Sequence, residues 1–126
     1  MIGLIDYGLG NIRSFSNILK KFNIKFIIPE NSDQIEECTK FILPGVGSFD
    51  EAVKKLKSKN FFSSLEKEIL IKNKKILGIC VGMQIFLNKS EEGVNPGLCW
   101  VEGEVRKFND KNFRTPHMGW NKLKII

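Results

Sequence analysis

Short apolar runs and helix-period patterns alternate along this chain, and glycine or proline marks where the runs end. Ile2 to Ile5 is apolar and leads into the loop DYGLGN, after which Ile12, Phe15, Ile18, Leu19 and Phe22 fall on one helical face. Lys25 to Ile28 reads as a second strand stopped by Pro29, and Gln34 to Thr39 as a short helix or turn. A third run, KFILPGVGS, breaks at Pro-Gly-x-Gly before Phe49, Ala52, Val53 and Leu56 recur at helical spacing. A further helix is expected from about Ser64 to Asn73, with Leu65 and Ile69 on its apolar side, and a fourth strand from Lys75 to Ile79. Strands and helices in that order, with short connections, require right-handed crossovers. The expected class is α/β, with a mostly parallel sheet covered by helices on both faces.

Local chemistry sharpens some of these boundaries. Ser48 and Glu51 have the spacing of a capping box, in which each side chain satisfies an orphan amide of the first helical turn. Beyond about Lys89 the character changes, because SEEGVNPG is rich in turn formers and LCWVEGEVRKF alternates like a strand, with Gly103 at a bulge or turn. The final NKLKII is strand-like and apolar, and a sheet seldom leaves such an edge uncovered. Residues 1–126 are therefore expected to be the N-terminal portion of a single domain, incomplete at the C-terminus.

Several classes of function can be set aside. At 126 residues and 42% hydrophobic, the chain suffices for one domain with a real core. MIGLIDYGLGN has no charged n-region and too few apolar residues for a signal peptide or a membrane span, so a cytoplasmic location is expected. Cys38, Cys80 and Cys99 show no C-x-x-C, and His117 is the sole histidine, which leaves no zinc spacing and predicts reduced thiols without a metal. The net charge of +6 comes mainly from lysines scattered on polar helix faces. That pattern belongs to a solvated surface and predicts no nucleic-acid partner. Gly8-Leu9-Gly10 follows the first strand, but Arg13 stands where a dinucleotide fingerprint needs its third glycine, so no cofactor is expected.

One stretch carries chemistry. In KKILGICVGMQIFL, Cys80 stands between an apolar run and an apparent helix, with Gly78 and Gly82 two places to either side. A nucleophile elbow needs that pattern: a strand turns sharply into a helix, and small flanking residues let neighbouring backbone come close. A cysteine so placed gains thiolate character from the helix N-terminus, and the amide of Val81 can face a developing oxyanion. A buried structural cysteine with two packing glycines fits the same spacing. Pro44-Gly45-Val46-Gly47-Ser48 ends the neighbouring strand on the same side, where open α/β sheets bind ligands, and offers either a second oxyanion amide or a plain glycine turn. A cysteine nucleophile normally needs a base, and His117 is the one imidazole available to Cys80.

Taken together, DYGLGN, LPGVGSFDEAV, LGICVGMQIF, SEEG, PGL, GEVRKF and PHMGWN closely resemble the glutamine amidotransferase subunit of imidazole glycerol phosphate synthase, a class I (triad-type) amidotransferase of flavodoxin-like fold. The match runs in order through the whole chain. The resemblance implies that Cys80 attacks the side-chain amide of glutamine, forms a glutamyl thioester and releases ammonia to a (β/α)₈-barrel cyclase partner in histidine biosynthesis. It further implies oxyanion amides from Gly45, Val46, Gly47 and Val81, glutamine binding by Gln84, and a partner interface at Asn11, His117 and Trp120.

The chain departs from that family at one point. The family's triad is completed by a histidine and a glutamate in an F-H-P-E-like motif, which residues 1–126 do not contain. His117 matches the interface position, so the resemblance displaces its pairing with Cys80. The expectation is a nucleophile without its base in this chain, inactive alone. Two alternatives stand beside the enzyme subunit: a non-catalytic fragment that binds the barrel partner, and a paralogue that delivers ammonia to surface-sugar amidation.

Overall fold

A computed structural model describes residues 1–108 and 119–125. The chain forms β1 (Ile2–Leu4), α1 (Ile12–Lys21), β2 (Phe26–Ile27), α2 (Ser32–Glu37), β3 (Lys40–Gly45), α3 (Phe49–Lys57), α4 (Phe62–Leu70), β4 (Lys75–Cys80), α5 (Val81–Gln84), β5 (Lys89–Ser90) and β6 (Glu104–Val105). The first four strands make one parallel sheet in the order β2-β1-β3-β4. The chain winds outward from β1 in both directions, so β1 and β3 flank the topological switch point of a doubly wound sheet. The expected α/β architecture is therefore present, with each strand near its expected place.

Register decides which side chains reach which layer. Phe41 and Leu43 point to one face, where they meet Ile35 of α2, Phe49, Ala52, Val53 and Leu56 of α3, Leu65 of α4 and Ile85 in the main core. Burying that many large apolar side chains, at roughly 1.5–3 kcal/mol each, is the main stabilising term. Leu4, Ile42 and Leu77 lie in register on the opposite face, and α1 packs there against β1. The cover on this face is partial. Leu77 is 58% exposed, and so are Ile18 (52%) and Phe22 (67%) at the outer side of α1. Helices flank both faces as expected, but the expectation of a single buried stripe along α1 is corrected: among the described residues α1 spans β1 and leaves β4 open.

The helix starts follow the capping chemistry. Asn11 caps α1 through its side chain, which accepts from the Ser14 amide at 3.2 Å, and Asn31 caps α2 by accepting from Gln34 at 3.0 Å. Ser48 caps α3 by accepting from the Glu51 amide at 3.4 Å, but the reciprocal half of the expected capping box is replaced by an ion pair of Glu51 with Lys55 at 3.2 Å. A lysine one turn along the helix draws the Glu51 carboxylate away from the cap.

Three further expectations change. LCWV is not a strand: the amides of Leu98 and Trp100 donate to the carbonyls of Ile85 and Phe86, each at 2.8 Å, so this segment caps the turn after α5. Trp100 stacks on Phe86 and donates its indole N–H to Glu66 at 3.1 Å. The short parallel pair is instead β5 with β6. Asn121 to Ile125 form no strand among the described residues, and Leu123 and Ile125 are exposed. The short helix or turn expected over Gln34–Thr39 runs instead over Ser32–Glu37, and Cys38 at its end is fully buried, with its sulfur donating to the Gln34 carbonyl at 3.2 Å.

Candidate functional site

The turn between β4 and α5 is held by backbone contacts that only glycine permits. A Cβ at Gly82 would run into the Leu43 carbonyl oxygen, and one at Gly78 would lie 2.5 Å from the Met83 Cα and 2.6 Å from the Phe86 ring. A Cβ on Gly45 would strike the Gly82 amide nitrogen. Three glycines therefore let β3, β4 and α5 converge, as expected of a sharp strand-to-helix junction. Pro44 is tolerated in β3 because β1 has already ended, its last register pair being Leu4 with Ile42.

Cys80 stands at the apex. Its φ is 56° and its ψ −124°, a backbone conformation that side chains rarely adopt, and it is in register with Gly45 of β3. Its thiol is exposed, whereas Cys38 is buried. Strained backbone of this kind costs on the order of 1–3 kcal/mol and persists where the surroundings over-determine it. The packing reading of Cys80 as a buried structural thiol is thereby overturned, while the glycines do have the close-packing role that reading gave them. Cys99 also has a positive φ, 56°, but lies in the capping segment without a following helix.

The other predicted site residues gather unevenly. Gly45 ends β3, and Val46 and Gly47 follow as an exposed loop beside Cys80, with Gly47 at φ +90°. Val81 opens α5 and is buried. Gln84 closes α5, and its Oε1 is buried with no hydrogen-bond partner among the described residues, an acceptor left open. The helix after Cys80 is a single turn, because Phe86 and Leu87 leave the helix to meet the 98–101 segment. Asn11 is exposed and committed to capping α1, Trp120 is exposed, and His117 lies outside the described residues. A depression of about 380 Å³ lined by Asp6, Gly8, Pro29, Glu30 and Lys59 sits at the ends of β1 and β2 and does not include Cys80.

One residue was missed. Tyr7, in the loop after β1, is 1% exposed, and its hydroxyl lies 2.8 Å from the point where a Gly45 Cβ would be. Burial, and secondly the nearby Cys80 charge, push its pKa up to about 12. The available signal was positional: Tyr7 follows the strand at the switch point and is the sole tyrosine of the chain. Among the described residues no three histidine, cysteine or acidic side chains cluster as metal ligands, and no helix is long and apolar enough to cross a membrane.

An open parallel sheet in the order β2-β1-β3-β4, with a strained, exposed cysteine on the turn that follows its edge strand, defines an α/β protein with a nucleophile-elbow junction. Comparison with known proteins places it more closely. The family model for glutamine amidotransferase class-I matches residues 3–124, and the chain belongs to that family. Relatives include the imidazole glycerol phosphate synthase subunit HisH of Bdellovibrio bacteriovorus, 44% identical over all of this chain and 64% of its own length. HisH 1 of Campylobacter jejuni is 47% identical with the same coverage, and HisH 2 of Methanococcus maripaludis is 42% identical over 99% of this chain and 62% of its own. The chain thus spans a little under two thirds of the length of these relatives. A crystal structure of a glutamine amidotransferase superposes with a TM-score of 0.67 over 87% of this chain and 59% of the other, at 19% identity, which supports the fold.

Proposed function

We propose that this chain is the N-terminal portion of a single amidotransferase domain that hydrolyses glutamine, with Cys80 as nucleophile. The observation that carries the proposal is the exposed thiol held at positive φ on the β4–α5 turn. The Cys80 thiolate attacks the side-chain amide carbon, and the carbonyl oxygen takes the negative charge. Amides of Val81 and of the Gly45–Val46–Gly47 loop are assigned to that oxyanion. Collapse breaks the carbon–nitrogen bond, the departing nitrogen takes up a proton to leave as ammonia, and a glutamyl thioester remains for water to cleave to glutamate and free thiol. The open acceptor of Gln84 suits the amino group of bound glutamine.

The names of the relatives support an imidazole glycerol phosphate synthase subunit in histidine biosynthesis. The resemblance extends this reading to ammonia passed to a (β/α)₈-barrel cyclase against Asn11, His117 and Trp120, in the cytoplasm. On this reading His117 is committed to the interface, so the acid–base partner of Cys80 is not among residues 1–126. A diazo-ketone that mimics glutamine tests the nucleophile. Peptide mapping is expected to place the adduct on Cys80 and to find none in Cys80→Ala. Adduct on Cys38 or Cys99 contradicts the assignment.

A further inference from the structure

The Tyr7 hydroxyl is out of place for a side chain that only packs. Its oxygen is closed off from solvent and has no hydrogen-bond partner among the described residues, although the ring lies in the main core. A buried hydroxyl without a partner is destabilising, and phenylalanine would fill the same volume without that cost. The hydroxyl is not adrift in an apolar pocket, because it abuts Gly45, the register partner of Cys80, where the Gly82 amide nitrogen also converges. In the same loop the Gly8 amide donates to the Asp6 carboxylate at 2.9 Å, and Gly8 takes φ +90°. Tyr7 thus stands on the buried side of the turn that presents Cys80 on its exposed side.

We propose that Tyr7 is a positioning residue for Cys80, its hydroxyl being a donor held unclaimed beneath the elbow that turns its hydrogen toward the sulfur when negative charge develops there. The high pKa of this phenol keeps its proton in place throughout the neutral range, so it acts as a dipole and no proton is transferred. The hydroxyl occupies the switch-point side of β3, where the sheet brings the ends of β1 and β3 together. This inference rests on the reading of Cys80 as the nucleophile.

The test compares iodoacetamide alkylation of each cysteine in the 126-residue chain and in Tyr7→Phe at neutral pH, alongside urea unfolding of both. The inference expects alkylation of Cys80 to slow several-fold in Tyr7→Phe, as for a dipole withdrawn from beside a developing charge, with the unfolding midpoint held or raised. An unchanged Cys80 rate with a raised midpoint overturns it, because the hydroxyl is then only a burden. Should Tyr7→Phe not fold, ring-fluorinated tyrosine replaces it; with one tyrosine in the chain, the fluorine resonance reports Tyr7 alone. That resonance is expected to move when Cys80 is alkylated, and a resonance that stays put overturns the inference. If Cys80 of the unaltered chain reacts no faster than Cys99, the nucleophile assignment itself fails, a result separable from a Tyr7→Phe effect that is missing while Cys80 is reactive.

Discussion

At Cys80 the backbone and the chemistry make opposite demands. A residue at φ 56° and ψ −124° would be more comfortable as glycine, yet a glycine has no thiol. Cys80→Gly is therefore expected to stabilise the fold by about 1–3 kcal/mol, the strain of a disfavoured backbone conformation, while Cys80→Ala keeps the Cβ and the strain and stays within about 1 kcal/mol of the parent. Urea midpoints of the two variants check this, and equal midpoints would argue against strain at the elbow. Gly82→Ala works in the other direction: its Cβ meets the Leu43 carbonyl oxygen, rigid backbone, so a loss of about 1–3 kcal/mol or more is expected in the same unfolding measurement. The sequence made Gly78, Cys80 and Gly82 legible as a unit because their spacing maps directly onto a strand-to-helix turn. It could not say whether Cys80 was buried, since exposure depends on how β3 packs against α5. Tyr7 stayed hidden for a similar reason, as its contact with Gly45 joins residues far apart in the chain.

Among the elements, α2, α4 and β4 are tied together by a carboxylate that no apolar pattern could have located. Glu68 of α4 is fully buried, where its two oxygens find no neutral donor and meet the ammonium groups of Lys72, at 2.6 Å, and Lys74. Lys74 also donates to the Glu36 carbonyl at the end of α2 at 2.8 Å. Burial is the largest influence on the Glu68 carboxyl and raises its pKa, but the two lysines together outweigh it and hold the group below the usual glutamate range. A depressed folded pKa fixes the sign: the pairing is at full strength above the unfolded value of about 4.3 and is lost as pH falls through it toward the folded value. Glu68→Gln should cost about 1–3 kcal/mol at neutral pH, less than a fully buried pair because both lysines keep contact with water. The variant should also lose less stability than the parent on acidification below pH ~4.3, and parallel acid limbs would contradict the account. Helix periodicity found α3 readily because Phe49, Ala52, Val53 and Leu56 are all buried. Alternation misread LCWV, because tertiary hydrogen bonds to Ile85 and Phe86 outweighed local pattern.

For the whole molecule, the order β2-β1-β3-β4 sets the ends of β3 and β4 side by side, and this brings the Gly45–Gly47 loop to Cys80. Fold class was readable from the alternation of strands and helices, whereas the open face at β4 depends on what α1 reaches. On the proposed reading His117 serves the partner interface, so residues 1–126 supply no acid–base partner to Cys80. General acid–base assistance is typically a factor of about 10²–10⁴, so the 126-residue chain is expected to release ammonia from glutamine near background, with or without a barrel partner, while its Cys80 remains open to alkylation. Ammonia release at a rate typical of an active amidotransferase would return His117 to the role of base. The claim that Cys80 is the residue that meets glutamine is tested most directly by substrate protection, in which the rate of diazo-ketone labelling at Cys80 is followed with and without glutamine. The account predicts that glutamine slows labelling of Cys80 in a saturable manner and leaves Cys99 unaffected. Labelling of Cys80 at the same rate whatever the glutamine concentration would contradict it.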